Sequence, residues 1–152
     1  MPDKNVVVEE KKLDPIYDPA SKEHGGFFWG TGRRKTSVAR VRMKPGTGKI
    51  EINGKVYTEY FPLTRQREDV LGPLKATNML GKLDIIVNAR GGGMYSQAGA
   101  VKMGIGRALT VMDKNLHRIL REGGFLTRDS RMCERKKYGQ KGARRRFQYS
   151  KR

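Results

Sequence analysis

Apolar residues recur at every second position in several short stretches and at every third or fourth in longer ones, and this change of period separates strands from helices. From Phe27-Phe28-Trp29 onward the pattern becomes regular. Ser37, Ala39, Val41 and Met43 alternate with Val38, Arg40 and Arg42, predicting a strand with one small apolar face and one mostly cationic face. Lys49-Ile50-Glu51-Ile52 alternates likewise; Asn53-Gly54 supplies the two positive-φ residues of a tight hairpin turn, and Lys55-Val56-Tyr57 returns. Leu83, Ile85, Val87 and Ala89 predict a further strand. Val70, Leu71, Leu74 and Leu80 point to helical packing around Pro73, which is expected to start a helix or break one. Ala98, Val101, Ile105, Ala108, Leu109 and Met112 recur at steps of three and four, placing an amphipathic helix from Ser96 to Met112. A shorter helix carries Leu116, Ile119 and Leu120 and ends at Gly123-Gly124. The simplest way to bury these faces is an α/β (α+β) domain: one mixed sheet of about four strands with helices packed on it.

The regular pattern fails at both ends. Residues 1–25 hold six acids and four lysines with little apolar periodicity, and are expected to form a mobile extension. Their acids argue against an organelle-targeting peptide. Residues 26–127 are expected to form the globular domain. Residues 128–152 hold eleven cations and two acids, net +9. Met132, Tyr138, Phe147 and Tyr149 are too few and too irregularly placed to drive a core, and Gly139 and Gly142 disfavour a continuous helix. The expected result is an extended basic tail that a partner orders. At about 3.3 Å per residue its last part, Gly139 to Arg152, spans roughly 45 Å.

Composition turns this pattern toward a partner. Thirty-three Lys and Arg against fifteen Asp and Glu leave a formal charge of +18 in 152 residues, which repels itself unless a polyanion neutralises it. Nucleic acid is the obvious polyanion. No run of about 18 apolar residues and no apolar leader follows Met1, so membrane spanning and secretion are not expected. One cysteine, Cys133, and two histidines are poor material for a disulfide or a structural zinc site. No cofactor and no metal are expected.

Arg33-Arg34-Lys35, with Arg40 and Arg42 on the following strand, form a basic cluster at the start of the domain. Gly30-Thr31-Gly32 is not a phosphate loop, because Arg34 occupies the glycine position that motif needs; Gly46-Thr47-Gly48-Lys49 fails because Ile50 and a strand follow. Gly91-Gly92-Gly93, between a strand and a helix, reads two ways: as a cradle of backbone N–H groups for a phosphate, or as a tight turn needing glycine on steric grounds. Ser96 is expected to be the N-cap of the helix. For catalysis, His24 and His117 have no regularly spaced partner, and sequence alone does not bring Asp84, Asp113, Glu122 and Asp129 together. The alternative to an RNA-binding structural protein is the basic subunit of an RNA-processing enzyme, which needs a metal site or an acid–base pair.

The same residues carry a resemblance. Gly32-Arg33-Arg34-Lys35-Thr36-Ser37-Val38-Ala39-Arg40-Val41 resembles the opening motif of the ribosomal protein S-nine family, the ninth protein of the small ribosomal subunit. Gly91-Gly92-Gly93 with Gln97-Ala98-Gly99-Ala100 and Arg107-Ala108-Leu109 resembles its central signature. Leu126-Thr127-Arg128-Asp129-Ser130-Arg131, Glu134-Arg135-Lys136-Lys137-Tyr138-Gly139 and Gln148-Tyr149-Ser150-Lys151-Arg152 resemble its tail, in the bacterial and organellar form. Met94-Tyr95, Lys102-Met103 and Gly142 depart from the usual pattern.

The resemblance implies a domain like the second domain of the fifth small-subunit protein and no enzymatic activity. It implies docking on small-subunit ribosomal RNA in the head of a cytoplasmic ribosome, beside neighbouring head proteins. Gln97 and Arg107 would join Arg33, Arg34, Lys35, Arg40, Arg42 and Gly91-Gly92-Gly93 in contacting that RNA. In the tail, Arg128, Arg131, Arg135, Lys136, Lys137, Lys141, Arg144, Arg145 and Arg146 would hold ribosomal RNA. Ser150, Lys151 and Arg152 would reach the decoding centre and touch peptidyl-site transfer RNA.

Overall fold

The computed structural model describes residues 26–150. Five strands, β1 (Phe28–Arg34), β2 (Ser37–Pro45), β3 (Ile50–Ile52), β4 (Lys55–Val56) and β5 (Leu83–Arg90), form one sheet in the order β1-β2-β5-β3-β4. The helices are α1 (Tyr57–Tyr60), α2 (Thr64–Ala76), α3 (Met94–Met112) and α4 (His117–Glu122), the last entered through a 3-10 turn at Lys114–Leu116. The sheet is mixed: β3 runs parallel to β5, and the other pairings are antiparallel. A parallel neighbour requires a long return connection, and α1 and α2 lie within it.

The sheet has one strand more than the alternating pattern predicts. β1 escapes detection because Gly30 and Gly32 stand where inward apolar side chains would reveal it. Helix α3 needs those glycines. A Cβ on Gly30 would lie 2.1 Å from the carbonyl oxygen of Gly104, and one on Gly32 would lie 1.8 Å from that of Ala100. The helix therefore rests directly on the strand backbone, with Ala100, Gly104 and Ala108 as its own small-residue stripe.

The inward sheet face is apolar. Phe28, Ala39, Val41, Met43, Ile52, Ile85 and Val87 are buried there against Val101, Ile105 and Leu109 of α3, and Phe61, Val70, Leu74 and Leu120 complete one continuous core. Each large side chain so buried contributes roughly 1.5–3 kcal/mol. Asn53-Gly54 forms the predicted turn, with φ of 51° and 80°. Asn53 also extends the β3 ladder: its Nδ2 donates to the Ala89 carbonyl at 2.9 Å, and its Oδ1 accepts from the Ala89 N–H at 2.9 Å.

Four local expectations are corrected. Pro73 neither starts nor breaks α2 but lies inside it, where its missing N–H removes one intrahelical bond and its side chain is buried, as are those of Val70 and Leu74. Leu80 lies beyond the helix and is exposed, because Asn78 with φ of 53° has already turned the chain. Tyr57 begins α1 rather than continuing β4. Ser96 is not the N-cap: α3 begins at Met94 with Gly93 as its cap, so the Ser96 N–H is already bonded to the Gly93 carbonyl at 2.9 Å.

Candidate nucleic-acid interface

Among the described residues all helices lie on one side of the sheet, and none covers its other, cationic face. Strand alternation puts Arg33 of β1, Arg40, Arg42 and Lys44 of β2, and Arg90 of β5 on that outward face. Register brings them close: Arg42 faces Trp29, Arg40 faces Thr31 and Asn88, and Val38 separates Arg33 from Arg90. The Arg42 guanidinium lies 5.6 Å from the Trp29 ring centroid and the Lys44 ammonium 5.8 Å from that of Phe27, so aromatic surface steadies two of the cations. Asp84 and Glu51, on the same side, are already engaged. Asp84 Oδ1 accepts the backbone N–H groups of Thr47, Gly48 and Lys49 at 2.8, 3.1 and 3.1 Å, and Glu51 pairs with Lys49 at 2.6 Å. The bond from Lys49 N–H, followed by those from Thr47 and Gly48, holds the Asp84 carboxyl below its ordinary range. Lys44 and Arg90 belong to no recognisable basic motif, although strand parity alone places them on the cationic face.

At the β1–β2 hairpin the sheet face runs into a cleft of about 590 Å³. Arg33, Arg34 and Lys35 line it from the hairpin, Arg65 from α2, Tyr95 and Lys102 from α3, and Asp129 and Arg131 from the start of the tail. The guanidinium groups of Arg34 and Arg65 lie 5.1 and 5.7 Å from the Tyr95 ring centroid. Lys102 pairs with Asp69 at 2.9 Å and Arg34 with Asp129 at 3.3 Å. Arg65, Tyr95 and Lys102 converge with the hairpin only through tertiary packing, and no single-sequence pattern selects them. Tyr95 and Lys102 each have a defined partner in the cleft.

The glycine run connects these surfaces. Gly91 and Gly92 have φ of 75° and 61°, and their added Cβ atoms would lie 2.7 Å from the Thr36 carbonyl oxygen and 2.2 Å from Ser37 Oγ. The steric need for glycine is therefore real. Ser37 Oγ and Gln97 Nε2 both donate to the Gly91 carbonyl, at 2.9 and 3.1 Å. Gln97 is buried, and its Oε1 accepts the Tyr60 hydroxyl at 2.7 Å, so both ends of its amide serve the interior. Arg107 is exposed on α3 and donates to the Thr31 carbonyl of edge strand β1 at 2.8 Å.

From Thr127 to Ser150 the chain has neither helix nor strand. Both of its acids are held by its own arginines: Asp129 by Arg131 at 2.9 Å, and Glu134 by Arg144, whose Nε donates at 2.9 Å. Arg128, Arg135, Lys136, Lys137, Lys141, Arg145 and Arg146 reach toward solvent along it. Tyr138 and Tyr149 are almost wholly exposed and Phe147 is 62% exposed, leaving aromatic faces open among the cations. The tail is not straight. The Lys141 N–H donates to the Arg145 carbonyl at 2.8 Å, closing a turn that shortens the fully extended span. Ser150 is exposed, and Lys151 and Arg152 lie outside the described residues, as do residues 1–25.

The cations of the sheet face, the cleft and the tail give this surface the chemistry to bind a polyanion. Among the described residues no group of three His, Cys, Asp or Glu is placed to hold a metal ion, and no helix is long and apolar enough to cross a membrane. Known sequences decide among polyanion binders. A model of the family described as "Ribosomal protein S9/S16" matches residues 32–152. The chain belongs to the ribosomal protein S9 family. It is 57% identical over 126 residues to the small ribosomal subunit protein uS9 of Maridesulfovibrio salexigens, covering 83% of this chain and 97% of that one. It is 56% identical over 127 residues to the uS9 protein of Rhodopirellula baltica, covering 84% of this chain and 93% of that one. The S9 match begins at Gly32 on β1 and takes in the cleft, the glycine run and the whole tail. Residues 1–25 lie outside it.

Proposed function

We propose that the chain is a structural, non-enzymatic constituent of the small ribosomal subunit that binds ribosomal RNA through the uncovered sheet face, the adjoining cleft and the basic tail. The observation that carries this reading is the continuity of charge: cations on β1, β2 and β5 lead into the cleft, and the tail leaves from that cleft. Family membership names the polyanion as RNA. Phosphate contacts of this kind fix position and orientation rather than read sequence. Arg33, Arg40, Arg42, Lys44 and Arg90 contact the RNA backbone from the sheet. Arg34 and Gln97 support the binding surface from within, since the two Nη groups of Arg34 and both ends of the Gln97 amide are engaged internally, and Gly91-Gly92-Gly93 let the backbone approach a phosphate. Arg107 holds the edge of β1 and uses its remaining N–H groups on the RNA.

The tail cations from Arg128 to Arg146 follow ribosomal RNA in the head of the subunit, beside neighbouring head proteins, in a cytoplasmic ribosome. Ser150, Lys151 and Arg152 reach peptidyl-site transfer RNA at the decoding centre. Binding to a ribosomal RNA fragment measured across salt tests the electrostatic basis. With about 6–10 phosphates engaged, affinity should fall roughly 10³–10⁵-fold between 50 and 200 mM salt, taking the duplex DNA value as a guide. A flat salt profile would overturn the proposal.

A further inference from the structure

We infer that Asp129 is a positioning residue: it latches the root of the tail to the β1–β2 hairpin and so sets the direction in which the basic tail leaves the domain before any RNA is bound. The inference rests on the tail being an RNA-contacting element, and adds how that element is aimed.

The tail root is built in three steps. Phe125 first lies over helix positions that have no side chain: an added Cβ would stand 3.2 Å from its ring at Gly72, 3.3 Å from its Cβ at Gly106 and 2.4 Å from its ring at Gly123. Leu126 is partly buried against the core. Asp129 then turns back to the hairpin. Its Oδ2 accepts from Arg34 Nη2 at 3.3 Å and from Arg131 Nη2 at 2.9 Å, while its Oδ1 accepts the Arg131 backbone N–H at 3.1 Å and Arg131 Nε at 3.0 Å. One carboxylate therefore joins the domain to a cation at the start of the tail.

Arg34 is held for this latch chiefly by packing. It leans on the Tyr95 ring, donates to the Tyr95 carbonyl at 3.4 Å, and passes over α3 where an added Cβ on Gly99 would lie 2.5 Å from its Cδ. Its side chain is 19% exposed and that of Asp129 is 25% exposed, so the pair is more shielded than a surface ion pair. Packing at Phe125 and Leu126 holds the chain to the domain but leaves rotation about the next residues free; the Asp129 bonds remove that freedom. Past Arg131 the described tail joins no strand or helix, so its initial direction is inherited from the latch. Fixing that direction beforehand reduces the ordering cost when RNA binds.

Cys133, the chain's single cysteine, is exposed and stands four residues past Asp129, which makes it a natural reporter. A nitroxide on Cys133 of the full chain, without RNA, should broaden amide resonances around Lys35, Thr36 and Tyr95. In Asp129→Asn, which keeps the shape but loses the charge, that local broadening should be lost and spread thinly over the domain. Asp129→Glu, which retains the charge, should preserve it, and Arg34→Gln should reproduce the loss. An unchanged pattern in Asp129→Asn would overturn the latch. Because this measurement contains no RNA, its outcome is independent of the salt titration that tests the RNA-binding reading itself.

Discussion

Gly32 has no side chain to contribute, yet it sets how closely α3 approaches the sheet. Replacing it with alanine would drive a methyl group into the Ala100 carbonyl, a backbone atom held by the helix and unable to swing away. Overpacking a core commonly costs about 1–3 kcal/mol, and Gly32→Ala should fall at or above the upper end of that range. Chemical denaturation should show a lowered midpoint, and a midpoint equal to the native one would mean that α3 can lift off β1 without cost. Three carboxylates make a second statement at this scale. Hydrogen bonds from Arg131 hold Asp129 well below the usual carboxylate range; Lys49, Thr47 and Gly48 lower Asp84, and Arg144 lowers Glu134. The native protein then binds fewer protons than the unfolded chain at acidic pH, so this stabilisation is present above the unfolded value of about 4 and is lost as pH falls below it. The thermal midpoint should drop through that window, and Asp84→Asn should flatten part of the drop. A native profile with no acid decline would contradict the assigned contacts.

Among the elements, β2 and β5 are legible in the sequence because each alternates cleanly and keeps its apolar residues on one side. The same parity that buries Val41 and Val87 turns Arg42 and Arg90 outward. β1 is not legible, since after Phe28 its inward positions are glycine and show no apolar alternation. Pro73 departs from expectation because the helix continues through it at the cost of one backbone bond, with its side chain buried beside the core. The outward face of β2 should carry measurable phosphate contacts. Replacing Arg40 or Arg42 with alanine should weaken binding to ribosomal RNA fragments about equally across sequences and lower the salt slope by about one for each phosphate no longer engaged. A slope that stays at the native value in the double variant would move the RNA-binding surface away from the sheet.

For the whole molecule, a rigid domain aims a charged tail that has no core of its own. With the proposed roles, this arrangement would separate assembly from transfer RNA contact. Removing Lys151 and Arg152 should weaken peptidyl-site transfer RNA binding while small-subunit assembly stays close to native, because the cations from Arg128 to Arg146 remain. Filter binding to reconstituted subunits and sedimentation of assembled particles measure the two effects separately. Equal transfer RNA affinity with and without the pair would remove their terminal role. The basic tail, the cationic strand face, the Asn53-Gly54 turn and the long α3 helix were determined by sequence alone, because each depends on neighbours within a few positions. Only the tertiary structure decided that β1 is a strand, that Gln97 serves the interior, and that Arg34, Arg65, Tyr95 and Asp129 meet in one cleft. Those outcomes depend on how closely backbones approach and on charges brought together from distant positions, and neither leaves a periodic trace along the chain.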